Sequence, residues 1–163
     1  MIFLINIKNM MRAEKDFVDF IKCFNDNKVE YLIVGAYAVA LHAAPRNTGD
    51  IDFWINRTLQ NAERVLLALN DFGFSPLEIA KADFLKEDVI IQIGYEPVRI
   101  DIITSITGVE FEEAFINKTV TKIGDQTAFF ISSDLLLKNK LATGRKKDLA
   151  DAEVLSKYLK DKN

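Results

Sequence analysis

Two aspartates one residue apart inside an apolar run constrain this chain more than any other feature. The stretch reads Gly49-Asp50-Ile51-Asp52-Phe53-Trp54-Ile55. On a strand, residues two apart share a face. Ile51 and Phe53 then turn into a core, while Asp50 and Asp52 stand as neighbours on the other side. Two carboxylates held this close repel each other unless a cation lies between them. The run therefore predicts a strand at 51–55 and, on one of its faces, the local chemistry of a divalent-metal site.

A third carboxylate is expected from an adjacent strand. Asp101, in Val98-Arg99-Ile100-Asp101-Ile102-Ile103, is flanked by apolar residues and fits a central strand. A lone aspartate there is unfavourable unless it is paired or metal-bound. Arg99 or Lys122 is its alternative partner, as a salt bridge. Hard oxygen ligands select Mg²⁺ or Mn²⁺. Three carboxylates can hold two such ions roughly 3.5–4 Å apart, an arrangement that clamps both oxygens of an in-line phosphoryl displacement. Asp101 could also take the acceptor's proton.

Upstream, Tyr31-Leu32-Ile33-Val34 ends at Gly35-Ala36. A glycine between a strand and a helix lets the backbone approach a ligand closely, and a helix N-terminus offers N–H groups to phosphate. Arg46 and Thr48 lie in the loop before the aspartates. Arg46 is placed to grip phosphate, or else to pair with a carboxylate. Thr48 is placed to position Asp50 or a phosphate, or else to close a turn. Residues 138–147 form one strongly basic window, from which Lys140 is the expected phosphate contact and Arg145–Asp148 an expected structural pair.

The remaining pattern fits one domain over 1–163 with a core at about 28–158. Helical spacing is expected at 13–27 (Phe17, Phe20, Ile21, Phe24) and 59–72 (Ala62, Val65, Leu66, Leu69), with a short helix after Gly35 that Pro45 ends. Ser132 or Ser133 caps a helix through Leu135, Leu136, Leu137 and Leu141 that Gly144 stops. A last helix follows, with Leu149, Ala152, Leu155 and Leu159 inward. Strands are expected at 29–34, at 88–93 and 98–104 as a hairpin, and at 118–123 and 127–131 turning at Gly124-Asp125. Helices mixed with hairpin-connected strands give an α/β (α+β) fold with a mixed β-sheet flanked by helices. Residues 1–9 read as an edge strand or as an extension upstream of a start at Met10 or Met11. Trp54 shares the aspartate face and is expected to pack at the sheet rim. His42, the sole histidine, is expected to be structural.

Composition narrows function little. A formal net charge of −3 on 163 residues gives no overall attraction for nucleic acid. One cysteine, Cys23, excludes an internal disulfide and a cysteine-based zinc cluster. No segment is apolar and long enough for a membrane span, which points to a cytoplasmic protein.

Taken in order, Gly35-Ala36, Asp50-x-Asp52 and Asp101 resemble the nucleotidyltransferase superfamily of DNA polymerase beta and the minimal nucleotidyltransferases. The branch that includes the AbiEii-type toxins is similar in two more places. An Arg-x-Thr precedes the aspartate pair, here Arg46-Asn47-Thr48. A Lys-x-x-x-x-Arg-x-Lys-Asp-x-x-Asp follows later, here from Lys140 to Asp151. The resemblance covers about 28–158. It implies the nucleotidyltransferase fold, with Asp50, Asp52 and Asp101 as catalytic metal ligands. It also implies Mg²⁺-dependent transfer of a nucleoside monophosphate from an NTP to an acceptor hydroxyl. The acceptor is an RNA (tRNA in a toxin–antitoxin setting, with a cognate antitoxin as partner), a protein or a small molecule. The family usually has Gly-Gly or Gly-Ser where this chain has Gly35-Ala36, so a phosphate-facing serine is absent. That departure supports the alternative, a catalytically weak nucleotide-binding or interaction module.

Overall fold

The structure is a computed structural model that describes residues 15–75, 78–95 and 97–163. The edge strand expected at 1–9 lies outside the described residues. From Lys15 the elements run α1 (Lys15–Asp26), β1 (Tyr31–Val34), α2 (Gly35–His42), β2 (Asp50–Ile55) and α3 (Leu59–Asp71). A 3₁₀ turn (Lys81–Leu85), β3 (Ile90–Tyr95) and β4 (Val98–Ile103) come next. The chain continues through α4 (Phe111–Ile116), β5 (Thr119–Ile123), β6 (Gln126–Phe130), α5 (Ser133–Thr143) and α6 (Lys146–Lys162).

Six strands form one mixed sheet in the order β3-β4-β2-β1-β6-β5. The expected hairpins, β3–β4 and β5–β6, are antiparallel pairs, as is β1–β2. Parallel pairs join β2 to β4 and β1 to β6. All four residues of β1 are buried, as a central strand covered on both faces requires.

The apolar positions anticipated for α1 make one side of the core. Phe17, Phe20, Ile21 and Phe24 are fully buried. Phe20 and Phe24 meet Phe53 of β2 at ring-centroid separations of 4.9 and 5.4 Å, and Phe20 meets Phe72 edge-on at 5.1 Å. Edge and tilted contacts of this kind suit the aromatic quadrupole. Ile51 and Phe53 thus face the core, as strand alternation requires, and leave Asp50 and Asp52 on the opposite face. Trp54, on that face, is buried and packs edge-on against Phe111 at 5.0 Å.

Helix ends follow local chemistry. The Thr58 hydroxyl accepts from the Asn61 N–H at the start of α3, and the Ser132 hydroxyl accepts from the Leu135 N–H at the start of α5. His42 closes α2, where its Nε2 lies 2.7 Å from the Ile131 carbonyl at the end of β6. Burial lowers its pKa, against the pull of that hydrogen bond. Its role is structural.

The expected packing of the last two helices is corrected in part. Leu136, Ala152 and Leu155 are buried, but Leu141 and Leu149 are exposed. Lys140, Asp148 and Asp151 are buried instead. The α5–α6 contact is an ion cluster where the hydrophobic pattern predicts a leucine seam.

Candidate metal centre

Strand register assembles the carboxylates. In the parallel β2–β4 pair, Asp50 lies beside Arg99 and Asp52 beside Asp101. In the antiparallel β1–β2 pair, Asp52 lies beside Val34, the residue before Gly35. Ligand atoms from Asp50, Asp52 and Asp101 all fall within 4.8 Å of one another. Register also puts Gln92 of β3 next to Asp101.

Gly35 sits against this cluster with φ +67°, a left-handed conformation that side chains rarely adopt. A Cβ there would stand 2.1 Å from Asp52 Oδ2. The glycine is thus required twice, by its backbone angle and by the carboxylate it touches. We expect Gly35→Ala to displace Asp52 and lower the thermal midpoint by several degrees, since strain of this kind is worth about 1–3 kcal/mol. A midpoint equal to wild type, read by circular dichroism, would show that the contact is soft.

Two groups support the triad. Thr48 Oγ1 donates to Asp50 Oδ1 at 2.7 Å, the positioning role expected for it. Arg99 bridges two of the acids. Its Nη2 donates to Asp50 Oδ2 at 2.9 Å and Asp101 Oδ2 at 3.0 Å, and its Nε donates to Asp101 Oδ1 at 3.1 Å. The alternative partner named for Asp101 is therefore present in the same site as the triad.

The electrostatics match. Burial, then the charges of Asp50 and Asp101, push the Asp52 carboxyl up to about 7, against the pull of Arg99 and Lys140. Burial also raises Asp101, while Arg99 works in the other direction. One monovalent guanidinium does not neutralise three carboxylates, and a divalent cation matches both the charge and the donor set.

The other expected phosphate contacts are already engaged. Arg46 pairs with Asp151. Lys140 Nζ lies 2.8 Å from Asp148 Oδ1 and 3.0 Å from Asp151 Oδ2. Asp148 Oδ2 accepts from Thr143 and from Arg145 Nε, each at 2.7 Å, so Arg145–Asp148 is the structural pair anticipated. Burial opposes the Asp148 charge, but hydrogen bonds from Lys140, Thr143 and Arg145 outweigh it and hold the carboxyl at about 2. The pairing of Lys140 with Asp148 and Asp151 is not anticipated by the sequence reading. Their only signal was the motif spacing, because hydrophobic periodicity is blind to a buried ion cluster.

Asp52 of the triad and Lys140 and Asp148 of the ion cluster line one hollow of about 320 Å³, together with Gly35, Thr143 and Arg145. Ala36 follows Gly35 in the first turn of α2. The hollow can admit a polar group beside Asp52, with the exposed Arg145 among its lining residues. No helix among the described residues is long and apolar enough to cross a membrane. Comparison with protein-family models gives no match for this chain, and comparison with curated proteins gives none either.

Proposed function

We propose that the protein is a metal-dependent nucleotidyltransferase with the nucleotidyltransferase fold. The observation that carries this reading is the convergence of Asp50, Asp52 and Asp101 within 4.8 Å, directly against the Cβ-less backbone of Gly35. The three aspartates would hold Mg²⁺ or Mn²⁺, which supplies charge neutralisation for a transferring phosphoryl group. Gly35 and Ala36 offer backbone N–H groups at a helix start for phosphate. In the reaction, an acceptor hydroxyl oxygen bonds to the α-phosphorus, the bond to the β-phosphate oxygen breaks, and pyrophosphate leaves. Asp101, whose affinity for a proton burial raises, takes the hydroxyl proton. Thr48 keeps Asp50 oriented throughout.

A second reading is a nucleotide-binding or interaction module with the same fold and little catalysis. It is favoured by Ala36, which has no hydroxyl, and by the full pairing of Lys140 with Asp148 and Asp151. One experiment separates the two. The protein is incubated with labelled NTPs, Mg²⁺, and total RNA or a lysate. Label transfer to a macromolecule or small acceptor, lost in Asp101→Asn, is the expected result, and the labelled species identifies the acceptor as tRNA, other RNA, protein or metabolite. NTP binding that needs no metal, without transfer to any acceptor, would leave the module reading standing.

A further inference from the structure

Arg99 does more than shield its neighbours. Its guanidinium is permanently charged and presents donors in a fixed fork. Here that fork takes both oxygens of Asp101 and one oxygen of Asp50. The same two residues are two of the three members of the metal-competent cluster. A carboxylate oxygen can accept a hydrogen bond and ligate an ion at once, so geometry alone does not set the two against each other. Charge does. A divalent cation held by Asp50 and Asp101 would be a second positive charge beside the guanidinium that bonds the same two acids, in a partly buried place where screening is weak.

We propose that Arg99 is an internal competitor for the metal, a positioning residue that holds Asp50 and Asp101 together in the metal-free protein and lowers the cluster's affinity for a divalent ion. The inference rests on the metal-binding reading of the triad. It gives Arg99 an effect opposite in sign to that of an orienting residue. Were Arg99 needed only to aim the carboxylates at a metal, its loss would weaken binding. As a competitor, its loss tightens binding while destabilising the metal-free protein, in which three acids are left without their nearest counter-charge.

The test is calorimetric titration of the full chain with Mn²⁺ alone, with melting in chelator alongside. Arg99→Gln is expected to bind Mn²⁺ about tenfold more tightly than wild type, the scale of one charge-assisted hydrogen bond. Its melting point in chelator is expected to fall below that of wild type. Arg99→Lys keeps the charge but loses the fork, and is expected to lie between the two; it also serves as the test if Arg99→Gln does not fold. Asp52→Asn is expected to bind no Mn²⁺. Wild-type-like or weaker binding in both Arg99 variants, with Asp52-dependent binding intact in wild type, overturns the competitor role and leaves the metal centre standing. Absence of Mn²⁺ binding in wild type and in both Arg99 variants removes the metal centre and this inference with it.

Discussion

Asp52→Asn is expected to stabilise the metal-free protein and to abolish its binding of a divalent metal. The wild-type carboxyl titrates at about 7 in the folded protein, against 3.8 for an ordinary aspartate, because burial and two neighbouring acids oppose its charge. The folded state therefore holds a proton that the unfolded state has released between those two values. Stability attributable to Asp52 falls as pH rises from about 4 through about 7, and above 7 the full penalty applies. The shift bounds that penalty at about 4 kcal/mol, and side-chain adjustment and water bring the observable part to about 2 kcal/mol. Asparagine keeps the size and removes the charge. In chelator at pH 8, Asp52→Asn should melt roughly 4–8 °C above wild type, and the gap should narrow as the pH falls below 7 and close near pH 4. Saturating Mg²⁺ should reverse the order. Binding at a hundredfold over Kd adds about 2.7 kcal/mol to wild type, and the variant, lacking a ligand, gains none. Under the nucleotidyltransferase proposal, transfer should fall about a thousandfold or more, since metal charge stabilisation is worth several kcal/mol in the transition state. A variant no more stable than wild type at pH 8, or one still stabilised by Mg²⁺, would remove Asp52 from the centre.

A residue whose replacement stabilises the fold is there for chemistry, and this separates the legible from the illegible parts of the sequence. Asp50, Asp52 and Asp101 could be read because strand alternation is strict. Once Ile51 and Phe53 face the core, the acids have one place to go. Gly35 could be read as a turn, but its contact with Asp52 depends on β1 pairing with β2 so that Val34 meets Asp52, a register that residue types alone do not set. Arg99 sat in view two residues before Asp101, yet whether it would bridge to Asp50 was decided by the parallel register of β2 and β4. The largest miss lies at the C-terminal helices. Leu141 and Leu149 have the spacing of a core seam and are exposed, because the α5–α6 contact is made by Lys140, Asp148 and Asp151. The short α4 was also not anticipated; Phe111 earns its burial against Trp54, a long-range contact that no local pattern announces.

That ion cluster leads to the second large effect. Lys140→Met is expected to destabilise the protein by about 3–5 kcal/mol, since it leaves two buried carboxylates without the ammonium that lies between them. For a chain of this length the thermal midpoint should drop by roughly 10 °C. Thr143 and Arg145 still serve Asp148, and Arg46 still serves Asp151, so the cluster is weakened and not emptied. The pH dependence carries a second signature. A folded carboxyl held at about 2 adds stability above 3.8, and that stability is lost as pH falls through about 2. Without Lys140 the Asp148 carboxyl rises, so its share of the acid transition should move to higher pH. The double variant Lys140→Met/Asp148→Asn removes one of the stranded charges and should recover part of the loss, which a double-mutant cycle reads as coupling between the two sites. The competing account treats Lys140 as a phosphate contact. It predicts a near-normal melting point with weakened NTP binding, and no coupling to Asp148 in stability. Melting and NTP titration of the same three proteins distinguish the two. Under the nucleotidyltransferase proposal, the structural account of Lys140 leaves Arg145 as the basic side chain of the hollow available to a triphosphate, since it is 76% exposed while that of Lys140 is 9% exposed.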